Sequence, residues 1–306
     1  MHELITRGLY YLQVHLLYAS IVWIAAWSLT STLRGSATTK YWIWVATSFN
    51  FVFPLGALLD RYWTSLLLPA SPLGVIGDMA GSISRSPAAS LLFGVWLTGA
   101  TLMSTRLCLR VRAERRNTQK ASRRDPMIVA HGVPVRFAAS RQGPAANGVL
   151  RTHISLPDGI ERLLSEHELN AVLIHEVTHA RRRDNLIRLI HEAGLCVLWF
   201  HPFLWMTGSR LSLYRELSCD ESVIQNAHGG DLVSALAKLA NPEETFLLQS
   251  TASSFLSHRL ARLIAAPPQR ARRAASILLS LMFSAVLLWG FFGTVTHTAC
   301  CFITRR

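Results

Sequence analysis

The residues from Leu9 to Leu29 pass without one charged side chain. A helix needs roughly 20 apolar residues to cross the ~30 Å hydrocarbon core of a bilayer. Three further stretches approach that measure: Tyr41–Leu59, interrupted by Asn50 and Pro54; Ala88–Thr105, with Gly94 and Gly99 as small packing faces; and Ala274–Val295, again uncharged. Polar and helix-breaking residues are tolerated inside a bundle, and small residues favour helix contacts there. Composition agrees. Half of the residues are hydrophobic and only 16% are charged, against about 25% in soluble domains. This excludes an ordinary soluble enzyme and a disordered basic protein. Cys108, Cys196, Cys219, Cys300 and Cys301 form no CxxC pair, which argues against a disulfide framework or a zinc ribbon. The first stretch is too long for a cleaved signal peptide and lacks its small-residue cleavage site.

Net charge is +13, and its distribution sets an expected orientation. Arg106, Arg110, Arg112, Arg115, Arg116, Lys120, Arg123 and Arg124 follow the third span against one acid, Glu114. Basic loops stay in the cytoplasm. Arg34 and Lys40, and Arg270, Arg272 and Arg273, mark the same side. The N-terminus, the loop Asp60–Pro87 and the tail from His297 then lie outside. The basic run has no interleaved aromatic residue and abuts a span, so anionic lipid explains it better than nucleic acid. The expected organisation is three spans in 1–105, a cytoplasmic domain in 106–273, and a last span with a short tail in 274–306.

The cytoplasmic segment opens with strand-like runs at Met127–Val129, Val133–Phe137 and Ile154–Pro157. Gly143-Pro144 and Asn147-Gly148 read as turns. Helical spacing then takes over. Ser165-Glu166-His167-Glu168 is a capping box, and helices are expected at Ser209–Gln225 and Leu232–Leu239.

The capped helix carries His175-Glu176-Val177-Thr178-His179, the pattern H-E-x-x-H. Positions i and i+4 share a helix face, so both imidazoles can reach one metal, with Glu176 beside them as proton acceptor. Zinc in such a site lowers the pKa of its water from 15.7 to about 7. A catalytic zinc needs a third protein ligand and one open position. The zincin class with a later His is excluded, because Asn185 and Arg182 occupy its His and Gly positions. The other class uses a later Glu. Glu216 is the expected ligand and Asp220, four residues on, would orient a ligand imidazole; Glu221 is the rival ligand. Cys219 reads as buried packing. Asp184 either orients a histidine or pairs with one of Arg181, Arg182 and Arg183, which read as a solvated face near the membrane.

Ile187–Met206 is a fifth apolar stretch, but it contains Arg188, His191, Glu192 and His201-Pro202. One crossing here would put His175 and Glu216 on opposite sides of the bilayer. The stretch must therefore lie in the interface or re-enter on the same side, with His191 and His201 structural.

The chain resembles the BlaR/MecR antirepressor type of integral-membrane zinc metallopeptidase. The resemblance covers about residues 1–300. It rests on three N-terminal spans, Ile154-Ser155-Leu156-Pro157, His175 to Asp184, His201-Pro202-Phe203-Leu204-Trp205, Arg215-Glu216-Leu217-Ser218-Cys219-Asp220 and a final span. It implies a membrane α-helical bundle of about four spans with a cytoplasmic α+β gluzincin-like peptidase domain. It implies one catalytic Zn²⁺ on His175, His179 and Glu216, with Glu176 as general base and Asp220 and Asp184 in support. The protein would sit in the bacterial inner membrane, answer a signal from outside, and cleave a cytoplasmic protein such as a DNA-bound repressor, without touching nucleic acid itself. Members that sense β-lactams carry a penicillin-binding domain after the last span. About ten residues follow it here, and no Lys has a Ser three residues before it, so direct covalent β-lactam sensing is not expected. The signal would then enter through the outside loop or a partner. Self-cleavage near Arg272-Arg273 is a weaker expectation. The alternatives are a non-catalytic signalling scaffold and a membrane quality-control protease.

Overall fold

A computed structural model describes residues 2–32, 36–53, 88–121, 128–138, 143–239 and Arg259. The expected fourth span, Cys300, Cys301, Arg272-Arg273 and the loop Asp60–Pro87 lie outside the described residues.

Three helices open the chain: α1 (His2–Thr32), α2 (Ala37–Val52) and α3 (Ala88–Ala121). Ser36 caps α2 by accepting from the Thr39 amide. Among the described residues one segment, Ser90–Arg116 of α3, is long and apolar enough to cross a membrane, and none of its apolar window is buried. The α3 helix continues unbroken into the basic run. Leu17, Ile21, Ile24 and Trp27 of α1 and Trp42, Phe49 and Phe53 next to or within α2 are also exposed. Gly99 abuts the indole of Trp199, where a Cβ would fall within 2.3 Å. Gly94, expected to play the same part, has nothing within 4 Å.

A four-stranded sheet follows, in the order β1-β2-β4-β3. Its strands are β1 (Ile128–Ala130), β2 (Val133–Ala138), β3 (Ala145–Asn147) and β4 (His153–Pro157). The β1–β2 hairpin turns on His131 (φ 50) and Gly132 (φ 80), two positive-φ residues whose twist matches that of paired strands. The β2 and β4 strands pair in parallel, and β3 pairs antiparallel with β4 at the sheet edge. The sequence shows only turn signals around β3. Three residues are too few to display a period, and β4 supplies the pairing that makes them a strand.

The rest is helical: α4 (Ile160–Leu163), α5 (Glu166–Arg182), α6 (Asp184–Val197), α7 (Pro202–Gln225) and α8 (Gly229–Leu239). The fifth apolar stretch breaks at Leu198–His201, with Pro202 at the start of α7, where its missing N–H costs nothing. The chain turns back there, so α5 and α7 lie together. Two apolar cores result. One joins Trp23 of α1, Tyr41 and Trp44 of α2, and Leu204, Leu211 and Leu217 of α7. There Trp23 stacks on Phe203 with ring centroids 4.6 Å apart. The other joins Val135 and Ile154 of the sheet to Val172 and Val177 of α5 and Leu232 and Ala235 of α8.

The capping box forms as expected: the Ser165 amide donates to Glu168 Oε2 at 2.8 Å, and Ser165 Oγ accepts from the Glu168 amide. Glu168 is buried and also accepts from Lys238 Nζ at 2.7 Å and from Ser234, locking α8 onto α5. Lys238, Ser234 and Ser165 hold its carboxyl down at about 2 from an ordinary 4.5. A depressed carboxyl contributes stability above its unfolded pKa and loses it as pH falls toward the folded value. Glu168→Gln should therefore lower the melting temperature at pH 7 and flatten its decline between about pH 4.5 and 2. Thermal unfolding of the detergent-solubilised chain across that range checks this; parallel acid limbs would contradict it.

Candidate metal centre

The α5 helix presents His175 and His179 one turn apart, and their Nε2 atoms lie 3.2 Å from each other. Glu216 Oε2, from α7, lies 3.5 Å from His175 Nε2 and 3.7 Å from His179 Nε2. Ligands about 2.0–2.1 Å from a tetrahedral zinc stand ~3.3 Å from one another. The three atoms thus form a triangle of the size zinc requires.

Each imidazole turns its other nitrogen toward a carboxylate, as metal-ligating histidines commonly do. His179 Nδ1 is 2.7 Å from Asp184 Oδ2. His175 Nδ1 is 3.1 Å from Asp220 Oδ1, approaching off the axis of a well-aligned hydrogen bond. The field here attracts cations. Burial works against charging His175, yet Asp220 and Glu216 outweigh it and hold its pKa up at about 9. Burial likewise opposes charge on Glu216, but hydrogen bonds from both histidines and the neighbouring Arg215 keep it well below the usual carboxylate range. A metal bound there must displace those protons, so its affinity falls in acid.

Glu176 lines the cleft beside this triangle. Its Oε2 accepts from the Ala146 amide of β3 at 2.7 Å. Asn185 donates from Nδ2 to the carbonyls of Ala146 at 2.9 Å and Gly148 at 3.1 Å, so α5 and α6 together pin the edge strand. The cleft holds about 1020 Å³ and is lined by Ala146, Glu176, His179 and Glu216 on one side and Arg110 and Glu114 of α3 on the other. Arg110 pairs with Glu192, and Arg188 with Glu114 at 2.7 Å, clasping α3 to α6 along the cleft.

Glu221 and Arg182 stand elsewhere than the sequence suggests, whereas Cys219 is buried and His191 and His201 are structural, as expected. Glu221, the rival ligand, instead accepts from the Thr38 amide at 3.0 Å and hydroxyl at 2.8 Å, tying α7 to the first turn of α2. Cys219 Sγ is 3.4 Å from His179 Nδ1, the nitrogen turned away from Glu216. Arg182 is not on a solvated face. It lies over the Tyr41 ring at 4.3 Å and donates to Asp184, Ser218 and Cys219. Tyr214 packs in the apolar core with Lys40 above its ring. His191 and His201 bind Ser48 and Ser20, between helices and away from the triangle.

Two participants gave no sequence signal. Tyr41 Oη, from inside an apparent span, donates to Asp184 Oδ1 at 2.6 Å. Arg259 clasps the buried Asp220 through Nε at 2.9 Å and Nη2 at 2.8 Å, and Nη1 comes within 3.7 Å of Glu216 Oε2. It follows α8 by twenty residues, and only the fold brings it here.

Among known proteins, the family model described as BlaR1 peptidase M56 matches residues 77–263. That is more than half of the chain, and the chain belongs to this family. It is 26% identical over 244 residues to the regulatory protein BlaR1 of Bacillus licheniformis, a match spanning 69% of this chain and 40% of the relative. It is 19% identical over 93 residues to the methicillin resistance mecR1 proteins of Staphylococcus aureus and Staphylococcus epidermidis, covering 30% of this chain and 16% of each. The chain thus spans less than half the length of these relatives.

Removing a group that orients a metal ligand typically costs 10–100-fold in metal affinity. Arg259→Ala should weaken zinc binding by about that much. Arg259→Lys should restore only part, because a point charge cannot replace a two-pronged guanidinium. Zinc competition against a chromogenic chelator, at constant pH, measures this; unchanged affinity in the Ala variant would show that Asp220 needs no such anchor.

Proposed function

We propose that the chain is a membrane-embedded zinc endopeptidase that cleaves a cytoplasmic protein to relieve transcriptional repression. The observation that carries this is the convergence of His175 Nε2, His179 Nε2 and Glu216 Oε2 at 3.2–3.7 Å beside Glu176 in an open cleft. Membership of a peptidase family supports the class of reaction. The regulatory and resistance proteins among its relatives support a signalling role.

His175, His179 and Glu216 would hold one zinc ion, Asp220 and Asp184 orienting the two imidazoles. When bound, zinc polarises a scissile carbonyl and makes water a competent nucleophile. Glu176 takes the proton from the attacking water and returns it to the departing amine, a role worth about 10²–10⁴-fold in rate. Its anchoring on the Ala146 amide fixes the carboxylate against the edge strand.

The exposed apolar surfaces of α1, α2 and α3 support a lipid environment. With the basic continuation of α3 in the cytoplasm, the cleft opens on that side and the N-terminus lies outside, in a multi-pass bacterial membrane protein. An outside partner or loop would supply the signal.

Glu176→Gln should abolish cleavage of casein or of a co-purified repressor while keeping about one zinc at the His175–His179–Glu216 site. Detergent-purified wild type beside the variant, with zinc counted and fragments mapped by mass spectrometry, tests this. Zinc without cleavage in either protein, under inducing conditions as well, would favour a signalling scaffold. Cleavage of misfolded membrane proteins with no effect on repression would favour quality control.

A further inference from the structure

On the opposite end of α5 from the catalytic pattern, His167, His228 and Asp231 each bring one donor atom within 4.8 Å of the other two. The juxtaposition is built by the fold. Glu168 is buried and binds Ser234 and Lys238, fixing the first turn of α5 against the middle and last turn of α8. His228 precedes α8, its carbonyl accepting from the Leu232 amide at 3.0 Å. Asp231, three residues on, shares its face. His228 Nδ1 and Asp231 Oδ2 are 2.8 Å apart, and the far nitrogen, Nε2, meets Asn170 Nδ2 at 3.2 Å. His167 is exposed on the second residue of α5, with its ring centroid 6.4 Å from that of His228.

We infer that His167, His228 and Asp231 form a second, peripheral binding site for a first-row divalent transition metal, with zinc the best fit. Two imidazoles and one carboxylate suit Zn²⁺, Ni²⁺ and Cu²⁺, whereas Mg²⁺ and Ca²⁺ prefer all-oxygen cages. The metal replaces the proton shared between His228 Nδ1 and Asp231. Ligand atoms on zinc stand ~3.3 Å apart, so that pair opens by about half an ångström, and exposed His167 swings in as third ligand. Asn170 is the orienting group. With metal on Nδ1 the ring proton moves to Nε2, and a flip of the Asn170 amide presents Oδ1 to it. The same flip turns Nδ2 toward His131 Nε2, now 3.3 Å from Oδ1. The His131 ring proton moves to Nδ1 so that its Nε2 accepts from Nδ2, and every partner is then satisfied with and without metal. The site does not depend on the peptidase reading, and it clamps α8 to the helix that carries His175 and His179.

The test is equilibrium dialysis of the full chain in detergent against buffered free zinc, with metal counted per chain by atomic emission. Wild type and Glu176→Gln should each bind two zinc ions. His167→Ala and Asp231→Asn should each bind one, and should lose the zinc-dependent rise in melting temperature that wild type shows above the first equivalent. His175→Ala should lose the other ion and keep this one. His167 is exposed, so its variant folds and decides the matter even where Asp231→Asn does not. Saturation of wild type at the single ion that His175→Ala removes would overturn the inference. So would a second ion that persists in His167→Ala.

Discussion

A buried carboxylate with nothing to neutralise it is among the most costly features a fold can hold. Asp184 is buried, and it is compensated three ways: by Tyr41 from α2, by His179 from α5 and by Arg182. Much of the architecture around the candidate centre follows from meeting that need. Arg182 must be drawn inward, so it crosses the Tyr41 ring and reaches Ser218 and Cys219 on α7. The α5, α6 and α7 helices are thereby bound to one acid, and Glu216 is delivered opposite the two histidines. Taking away any one partner leaves charge stranded in a low-dielectric interior, where breaking a pair costs far more than the pair itself contributes.

The same hub joins α2 to the candidate active site. The α2 helix contributes Tyr41 to Asp184, Thr38 to Glu221 and Ser48 to His191. These contacts fall on two helices, α6 beside the triangle and α7, which carries Glu216. A rotation of α2 would alter the hydrogen bonds behind His179 before it altered anything in the cleft. On the other flank, the clasp between α3 and α6 borders the cleft itself. Under the proposed function, a signal from the N-terminal helices would have two short physical routes, one behind the candidate ligands and one beside the cleft.

What could be read from residue order is local. Helical spacing put His175 with His179 and Glu216 with Asp220, and the capping box marked where α5 begins. Because one crossing at Ile187–Met206 would separate His175 from Glu216, that stretch is expected to lie in the interface or re-enter on the same side, and its helix breaks at Leu198–His201. What could not be read is tertiary. Arg182 looked like its neighbours Arg181 and Arg183 until Asp184 was seen to be buried beside it. Tyr41 was one hydroxyl in an apolar run. Strand β3 has no period of its own, and Arg259 depends on Asp220, thirty-nine positions earlier. The described residues likewise contain one segment fit to cross a membrane, where sequence alone suggested about four in the whole chain.

Arg183 stands between α5 and α6 in the left-handed region, at φ 57 and ψ 44. On an uninterrupted helix of 3.6 residues per turn, a residue five positions on lies about 140° around the axis, and Asp184 could not reach His179. The single reversed residue folds the chain back and closes that gap to 2.7 Å. The spacing from His179 to Asp184 is therefore a conformational statement as much as a chemical one. It has meaning only where a helix ends at the fourth residue and another begins at the fifth. A chain with the same letters on a continuous helix would own the ligands without the support behind them.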